Sequence, residues 1–310
     1  MSTGESKPKR HHWWPMSQSR HWTDTKGLVH ITRRDGTTFK ASPVNIAVES
    51  ELYTRFDEDG QKDTAIEEWF AKEIDGPSTR IIEHFLDPDN TRRRPFRGDP
   101  AKAKTTRELG FRVNDYFEEI VLPQEIRTLT ARYLAALLVR HPQYLGKLQR
   151  FHAQADSDTR LVRERALANM LTIYETYTNA ISRAELMITK RVGTNEYIYA
   201  DGGLSIQEPW LTESGIPFDI HAPLTPDIAI QVFPIPHIDT LHRALVGEST
   251  NQGVSRQNRI MLGIARRFVF TRQAPPTGFI AANFGKPAPK NIGRHMVNGR
   301  VQVTYDPTRE

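Results

Sequence analysis

The chain has 310 residues, of which 38% are hydrophobic and 25% charged, the profile of a globular protein with room for one large domain or two small ones. It contains no cysteine, which excludes disulfides, thiolate-bound zinc, iron–sulfur clusters and thiol nucleophiles. The net charge of +5 is uneven: residues 1–40 carry eight Lys and Arg against three Asp and Glu, whereas residues 49–75 carry three against ten.

A basic end followed by an acidic block has two readings. The cations could meet phosphate or an acidic partner, or the two blocks could neutralise each other across the fold, which is the simpler reading. No apolar run is long enough to span a membrane, and MSTGESKPKRHH lacks the apolar core of a secretory signal. The expectation is therefore a cytoplasmic protein with no membrane partner.

In chain order, residues 1–9 read as a disordered tail. GLVHITRRDGTTFKAS then reads as a β-hairpin, with strands about 28–33 and 37–41 around Asp35-Gly36. VNIAVESELY reads as a short helix or turn. TAIEEWFAKEIDGPSTRIIEHFL places Ile66, Trp69, Phe70 and Ile74 on one helical face. Gly76-Pro77 predicts a kink or a second helix. The Pro- and Arg-rich stretch 87–104 reads as a loop, with Arg92, Arg93 and Arg94 solvated.

Ile126, Leu129, Tyr133 and Leu137 form the stripe of a helix ending before Pro142. A longer helix is predicted over about 158–191 from Leu167, Met170, Tyr174, Tyr177, Ile181, Ala184 and Ile188, which step by three and four. Strand signals follow in NEYIYADGGLSI and FDIHAPLTPDIAIQVFPIP. Ser255 is placed as the cap of a helix, RQNRIMLGIARRFVF, and GRVQVTYD reads as a late strand. The predicted class is α+β, an N-terminal hairpin and C-terminal strands packed on a central helical bundle. The predicted organisation is a single domain over 10–272, helical over about 63–191, with an extended or partly disordered tail over 273–310.

Several short motifs occur in a telling order: His11-His12-Trp13-Trp14-Pro15 and Trp22; Asn45, Ala47 and Tyr53; Glu67 or Glu68 and then Asp75; Arg140 in RHPQ; Ala200-Asp201-Gly202-Gly203; Pro223-Leu224-Thr225-Pro226; and Asn258. In this order the chain resembles the bacterial domain-of-unknown-function family 4238, which opens with His-x-x-x-Pro, over about residues 10–272. The resemblance implies a shared fold. The family's Ser-Asp-Asn-Pro turn is replaced here by Ala200-Asp201-Gly202-Gly203, so no role of that turn is carried over.

The opening His-His-x-x-Pro is also similar locally to HNH, or ββα-metal, nucleases. That likeness implies His11 as a metal ligand, His12 as the general base and Asn45 as the residue orienting it. A divalent Mg²⁺ or Mn²⁺ would stabilise the developing charge. The helical histidine of those enzymes is missing, and Glu49 and Glu51 are the nearest replacement ligands. The competing reading packs His11 and His12 as semi-buried residues in a Trp-lined segment. Adjacent histidines on a strand point to opposite faces, which argues against a zinc site of His11, His12 and His21.

Trp13-Trp14 could stack nucleobases or pack on a sheet. Glu68 and Asp75, two turns and about 10 Å apart on a helix, read as a solvated acidic face. G-x-S-x-G, the P-loop and the dinucleotide fingerprint are absent from the sequence. Two functions are thus expected. One is a metal-dependent phosphodiesterase of a defence or toxin kind, meeting nucleic acid through the basic N-terminal segment. The alternative is a non-enzymatic module that binds a protein or ligand on a helical platform. Neither reading sets an oligomeric state.

Overall fold

A computed structural model describes residues 10–95, 98, 100–206, 220–233, 241–287, 292–297 and 300–305. The fold is α+β. Its helical part is built from Gly76–Leu86, Gln124–Val139, Pro142–His152 and Thr159–Ser182. The longest of these starts where Asp158 accepts the amides of Arg160 and Leu161, at 2.8 and 3.3 Å. It buries Val162, Ala166, Leu167, Met170, Tyr174 and Ile181. Pro142 sits in the first turn of its helix, where its missing N–H costs nothing, and the His141 ring caps that helix.

The predicted long helix ends at Ser182, and Glu185–Arg191 is a central strand. Ile181, Ala184 and Ile188 continue the helical spacing across the boundary. A step of four is also even, so it suits the alternation of a strand as well. Residues 65–86 are helical throughout: a π-helical turn at Ala71–Asp75 joins the helix Ala65–Phe70 to a second α-helix that starts at Gly76-Pro77, as expected. The stretch expected to be a loop holds the strand Thr91–Pro95 and the helix Pro100–Glu108. Arg93 and Arg94 are paired to Glu118 and Glu119 at 3.0 and 2.7 Å.

The main sheet has eight strands, in the order Ser205–Ile206, Ile220–Pro223, Ile228–Phe233, Glu185–Arg191, Arg243–Ser249, Tyr116–Val121 and Thr91–Pro95, with Phe111–Arg112 beside Arg243–Ser249. Only the pairing of Glu185–Arg191 with Arg243–Ser249 is parallel among these. The C-terminal strands therefore share one sheet with strands from the helical middle.

Register divides the sheet into two faces. Leu186, Ile188, Ile230, Val232 and Ala222 join the core with the helices. Met187, Gln231, His221, Leu245 and Gly247 alternate with them and lie on the opposite face. A second, four-stranded sheet runs Tyr199–Ala200, Phe268–Thr271, Val29–Arg33 and Thr38–Ala41, and so contains the predicted hairpin.

The second face is covered by the helix Asn251–Ile264, capped by Thr250 rather than Ser255. Two glycines bring it close to the turn after Pro100–Glu108. A Cβ on Gly253 would lie 2.5 Å from the carbonyl oxygen of Gly110, and one on Gly110 would lie 2.3 Å from the amide nitrogen of Gly253. Gly146, also helical, has only the mobile end of Arg150 near it, at 3.5 Å. Gly→Ala inside a helix ordinarily stabilises by about 1 kcal/mol. Gly146→Ala is expected to do so in urea unfolding, whereas Gly253→Ala is expected to destabilise by about 2 kcal/mol or more.

Within the predicted tail, Thr277–Asn283 is a helix. Its Ile280, with Phe284 just beyond, packs in a second core cluster with Met261, Leu262 and Val269. Ile292–Val297 pairs with Arg300–Tyr305, which includes the expected late strand. Residues 1–9 lie outside the described residues.

Candidate functional site

The N-terminal motif forms a buried hub. His11 is fully buried and its Nδ1 accepts the Tyr53 amide at 3.1 Å. Its ring stacks on Tyr53 with centroids 5.7 Å apart. Glu67 Oε2 lies 3.9 Å from the same Nδ1. Burial pushes the Glu67 carboxyl up to about 7; Arg140 works against this shift and Asp75 adds to it.

Arg140, also fully buried, grips Asp75 through both terminal nitrogens, at 2.5 and 3.2 Å. It donates to the carbonyl oxygen of His12 as well, and its own carbonyl accepts the Tyr53 hydroxyl. Its guanidinium covers the Phe70 ring at 4.7 Å. The acidic helix face is thus not simply solvated. Glu68 faces outward and accepts from Thr64 at 2.7 Å, but Glu67 and Asp75 turn toward the hub.

The residues implied by the nuclease likeness are brought together only in part. His12 Nε2 lies 3.3 Å from the carbonyl oxygen of Val44. Burial lowers the His12 pKa; the Val44 contact opposes this, and the cations of Arg140 and Arg10 add to it. Asn45 accepts from Arg10 at 3.5 Å and makes no hydrogen bond to His12 among the described residues. Glu49 is opposite His11 in the ladder Arg10–His12 with Val48–Ser50, but its side chain is exposed. Glu51 pairs with Lys62. Among the described residues no group of three or more His, Asp or Glu side chains is placed to hold a metal ion. The proposed ligand set of His11, Glu49 and Glu51 is therefore not gathered. Trp14 stacks on Tyr199 at 4.2 Å inside the core, so the Trp pair offers no platform for a base.

The other motif residues are connectors too. Gln18 donates to the Pro223 carbonyl at 2.7 Å and accepts from the Tyr133 hydroxyl at 2.6 Å. The Trp22 indole N–H reaches the Leu224 carbonyl at 3.4 Å. Asp201 accepts the amides of Arg266 and Arg267, at 2.7 and 2.9 Å. Asn258 bridges the Ile198 amide and the Glu196 carbonyl, at 3.0 and 2.8 Å. Each satisfies buried backbone between elements far apart in sequence.

The chain matches the family described as protein of unknown function DUF4238 over residues 10–275. It belongs to that family. In this chain His11, Trp13, Trp14, Trp22, Tyr53, Arg140, Asp201 and Asn258 of the motif are buried, whereas Asn45 and Glu68 are exposed. No curated protein and no solved structure matches the chain. Among the described residues no helix is long and apolar enough to cross a membrane.

A concave feature among the described residues lies elsewhere. A cavity of about 620 Å³ opens between the second face of the main sheet and the helices Pro100–Glu108 and Asn251–Ile264. Met187, Leu245 and His221 line its floor, with Phe111 and Phe117 beside them and Gln257 on the covering helix. His221 is 4% exposed, and among the described residues neither of its ring nitrogens has a hydrogen-bond partner. Burial alone drives its pKa down to about 3, so the ring is neutral at physiological pH. Gln257, 5% exposed, has no partner for its Oε1 among the described residues either. At the cavity edge, Arg112 and Glu248 pair with each other at 3.5 Å. Sequence reading passed over His221 because a single histidine in the apolar run IHAP carries no motif.

Proposed function

We propose that this protein is a non-enzymatic binding module for a neutral, largely apolar small molecule, held in the cavity above the second face of the main sheet. The observation that carries this reading is His221. A buried imidazole with both nitrogens unpartnered costs on the order of 1–3 kcal/mol for each unsatisfied group. A ligand that hydrogen-bonds it recovers that cost. The neutral ring offers one donor and one acceptor, and Gln257 Oε1 adds an acceptor. The fitting ligand has an apolar body and one polar group able both to donate and to accept. The volume is in the ordinary range for small-molecule sites, and the helices on the opposite face supply a rigid platform.

Leu245→Trp fills the cavity from its floor. Nile red, a neutral apolar dye, is expected to bind the wild-type protein with increased fluorescence, and to bind the folded Leu245→Trp variant at least about tenfold more weakly. Equal binding by both would contradict this placement.

A second reading, the metal-dependent phosphodiesterase with Mg²⁺ or Mn²⁺, is favoured by one observation. His12 Nε2 lies 3.3 Å from the Val44 carbonyl, a contact that would hold a general base in one orientation. Metal-dependent cleavage of plasmid or RNA that is lost in His12→Ala would put this reading first.

A further inference from the structure

Two of the basic residues of the first 40 meet further cations at one place on the surface. Arg33 and Arg34, at the end of the strand Val29–Arg33, meet Arg266 and Arg267, which precede the strand Phe268–Thr271. The four line an open cleft of about 480 Å³ together with Asp35 and Phe268. The two ridges are fixed to one another: Phe268 is the ladder partner of Arg33, and the Arg34 amide donates to the Arg267 carbonyl at 3.2 Å.

All four guanidinium side chains belong to exposed residues. Two carboxylates lie close by, and both are engaged. Asp35 accepts the Thr37 amide at 2.9 Å within its own turn and also feels the charge of Arg33, so it offsets part of the positive charge of the cleft. Asp201 is buried under two backbone amides and approaches only Arg267, at 3.8 Å. Arg33, Arg34 and Arg266 have no ion pair among the described residues.

Four like charges in one cleft set up a positive potential that attracts an anion. Other cations of the chain are paired: Lys40 with Asp24, Lys62 with Glu51, Arg132 with Glu73 and Arg140 with Asp75. The acidic block of residues 49–75 is therefore largely spent on neighbours other than these arginines. Two of the arginines lie over aromatic rings, one in the cleft and one beside it. Phe268 lines it, with Arg267 over its ring at 5.4 Å, and the exposed Phe39 lies under Arg33 at 5.0 Å. Guanidinium forks match phosphate oxygens in geometry, and the guanidinium planes of Arg267 and Arg33, laid over these rings, are themselves surfaces on which a base can stack. A carboxylate-rich peptide would use the cations but leave these flat guanidinium–ring stacks without a base to cover them.

We infer that this arginine cleft binds the phosphate backbone of a single-stranded nucleic acid, at a site separate from the small-molecule cavity. It places nucleic-acid contact at the hairpin and its neighbouring strand rather than at the extreme N-terminus. The inference stands independently of the cavity reading.

The test is fluorescence anisotropy of the full chain with a fluorescein-labelled single-stranded oligothymidylate. Arg33→Glu/Arg266→Glu is compared with Arg92→Glu/Arg150→Glu, which makes the same change in net charge on exposed residues elsewhere. Circular dichroism confirms folding of both. The expected result is salt-dependent binding, weakened about tenfold or more by reversal in the cleft and little changed by the control. Absence of binding, or equal loss in both variants, overturns the inference. So does a polyglutamate peptide that binds as tightly, which would assign the cleft to an acidic protein segment. Displacement by inorganic phosphate at concentrations matching the oligonucleotide also overturns it, because it would show a site for a single phosphate.

Discussion

Arg140→Ala is expected to lose about 3–5 kcal/mol of folding stability, the loss typical of breaking a buried ion pair from one side. Burial works against the Arg140 charge, but Asp75, Tyr53 and Glu67 around it raise its pKa above the ordinary arginine value. Removing the guanidinium strands the Asp75 carboxylate and strips the His12 carbonyl of its donor. It also uncovers the Phe70 ring. The helix carrying Asp75, the N-terminal strand and the end of Gln124–Val139 all meet at this side chain, so the loss is cooperative. Arg140→Met with Asp75→Asn removes both charges and keeps most of the volume. It is expected to recover most of the stability in urea unfolding, as replacing whole buried pairs by apolar groups commonly does. If Arg140→Ala alone cost less than about 1 kcal/mol, the hub would not organise the fold.

His221→Phe is expected to act in the opposite sense on stability while abolishing binding. At pH 7 the variant should gain about 1–3 kcal/mol, because two unsatisfied nitrogens leave the interior and apolar surface replaces them. The gain should grow toward acid. The folded-state pKa of His221 is depressed from 6.5 to about 3. Its contribution to stability is therefore fully present above pH 6.5 and is lost as the pH falls toward 3, by up to about 4–5 kcal/mol. His141, also depressed to about 3 by burial first and then by the cations of Arg267 and Lys147, adds a loss of the same sign. Thermal unfolding between pH 7 and pH 4 should show the wild-type protein falling more steeply than His221→Phe. A more stable protein that no longer binds is the signature of a residue kept for a ligand. A variant less stable than wild type at pH 5 would contradict this account of the ring.

Much of the fold was legible because it rests on local pattern. The hairpin around Asp35-Gly36 shows in its β-branched alternation, and Gln124–Val139 shows in its apolar stripe. The places where reading failed share a cause, which is long-range pairing. Thr91–Pro95 is an edge strand whose Arg93 and Arg94 are held by Glu118 and Glu119 across the sheet. Nothing in TRRRP alone distinguishes it from a loop. Ile188 suits a helix and a strand equally by spacing. Glu68 and Asp75 read as a solvated face, and Glu68 is exposed, but Asp75 is taken up by Arg140, 65 residues beyond it.

The functional site divides along the same line. The motif that draws attention, His11-His12 with Asn45, is legible as residues but not as environment. Whether His11 faces a groove or a core depends on Tyr53 and Glu67 folding over it. His221 is the reverse case. Its identity as a binding group follows only from the helix Asn251–Ile264 closing a cavity above a sheet face, with Gly110 and Gly253 allowing the close approach. Its sequence neighbours, Ile220 and Ala222, belong to the core on the other face. Likewise the four arginines of the cleft form two adjacent pairs more than 200 residues apart, and only the pairing of their strands joins them.

The central claim is that His221 is the polar anchor of a small-molecule site. Nitrogen-15 NMR of the histidine-labelled protein tests it directly, during titration with neutral apolar fragments that each bear one amide or hydroxyl group. The account predicts that His221 reads as a neutral imidazole at pH 6 and that its ring-nitrogen resonances move saturably with some of these fragments. Ring nitrogens that stay fixed across the whole set, or a ring already protonated at pH 6, would contradict it.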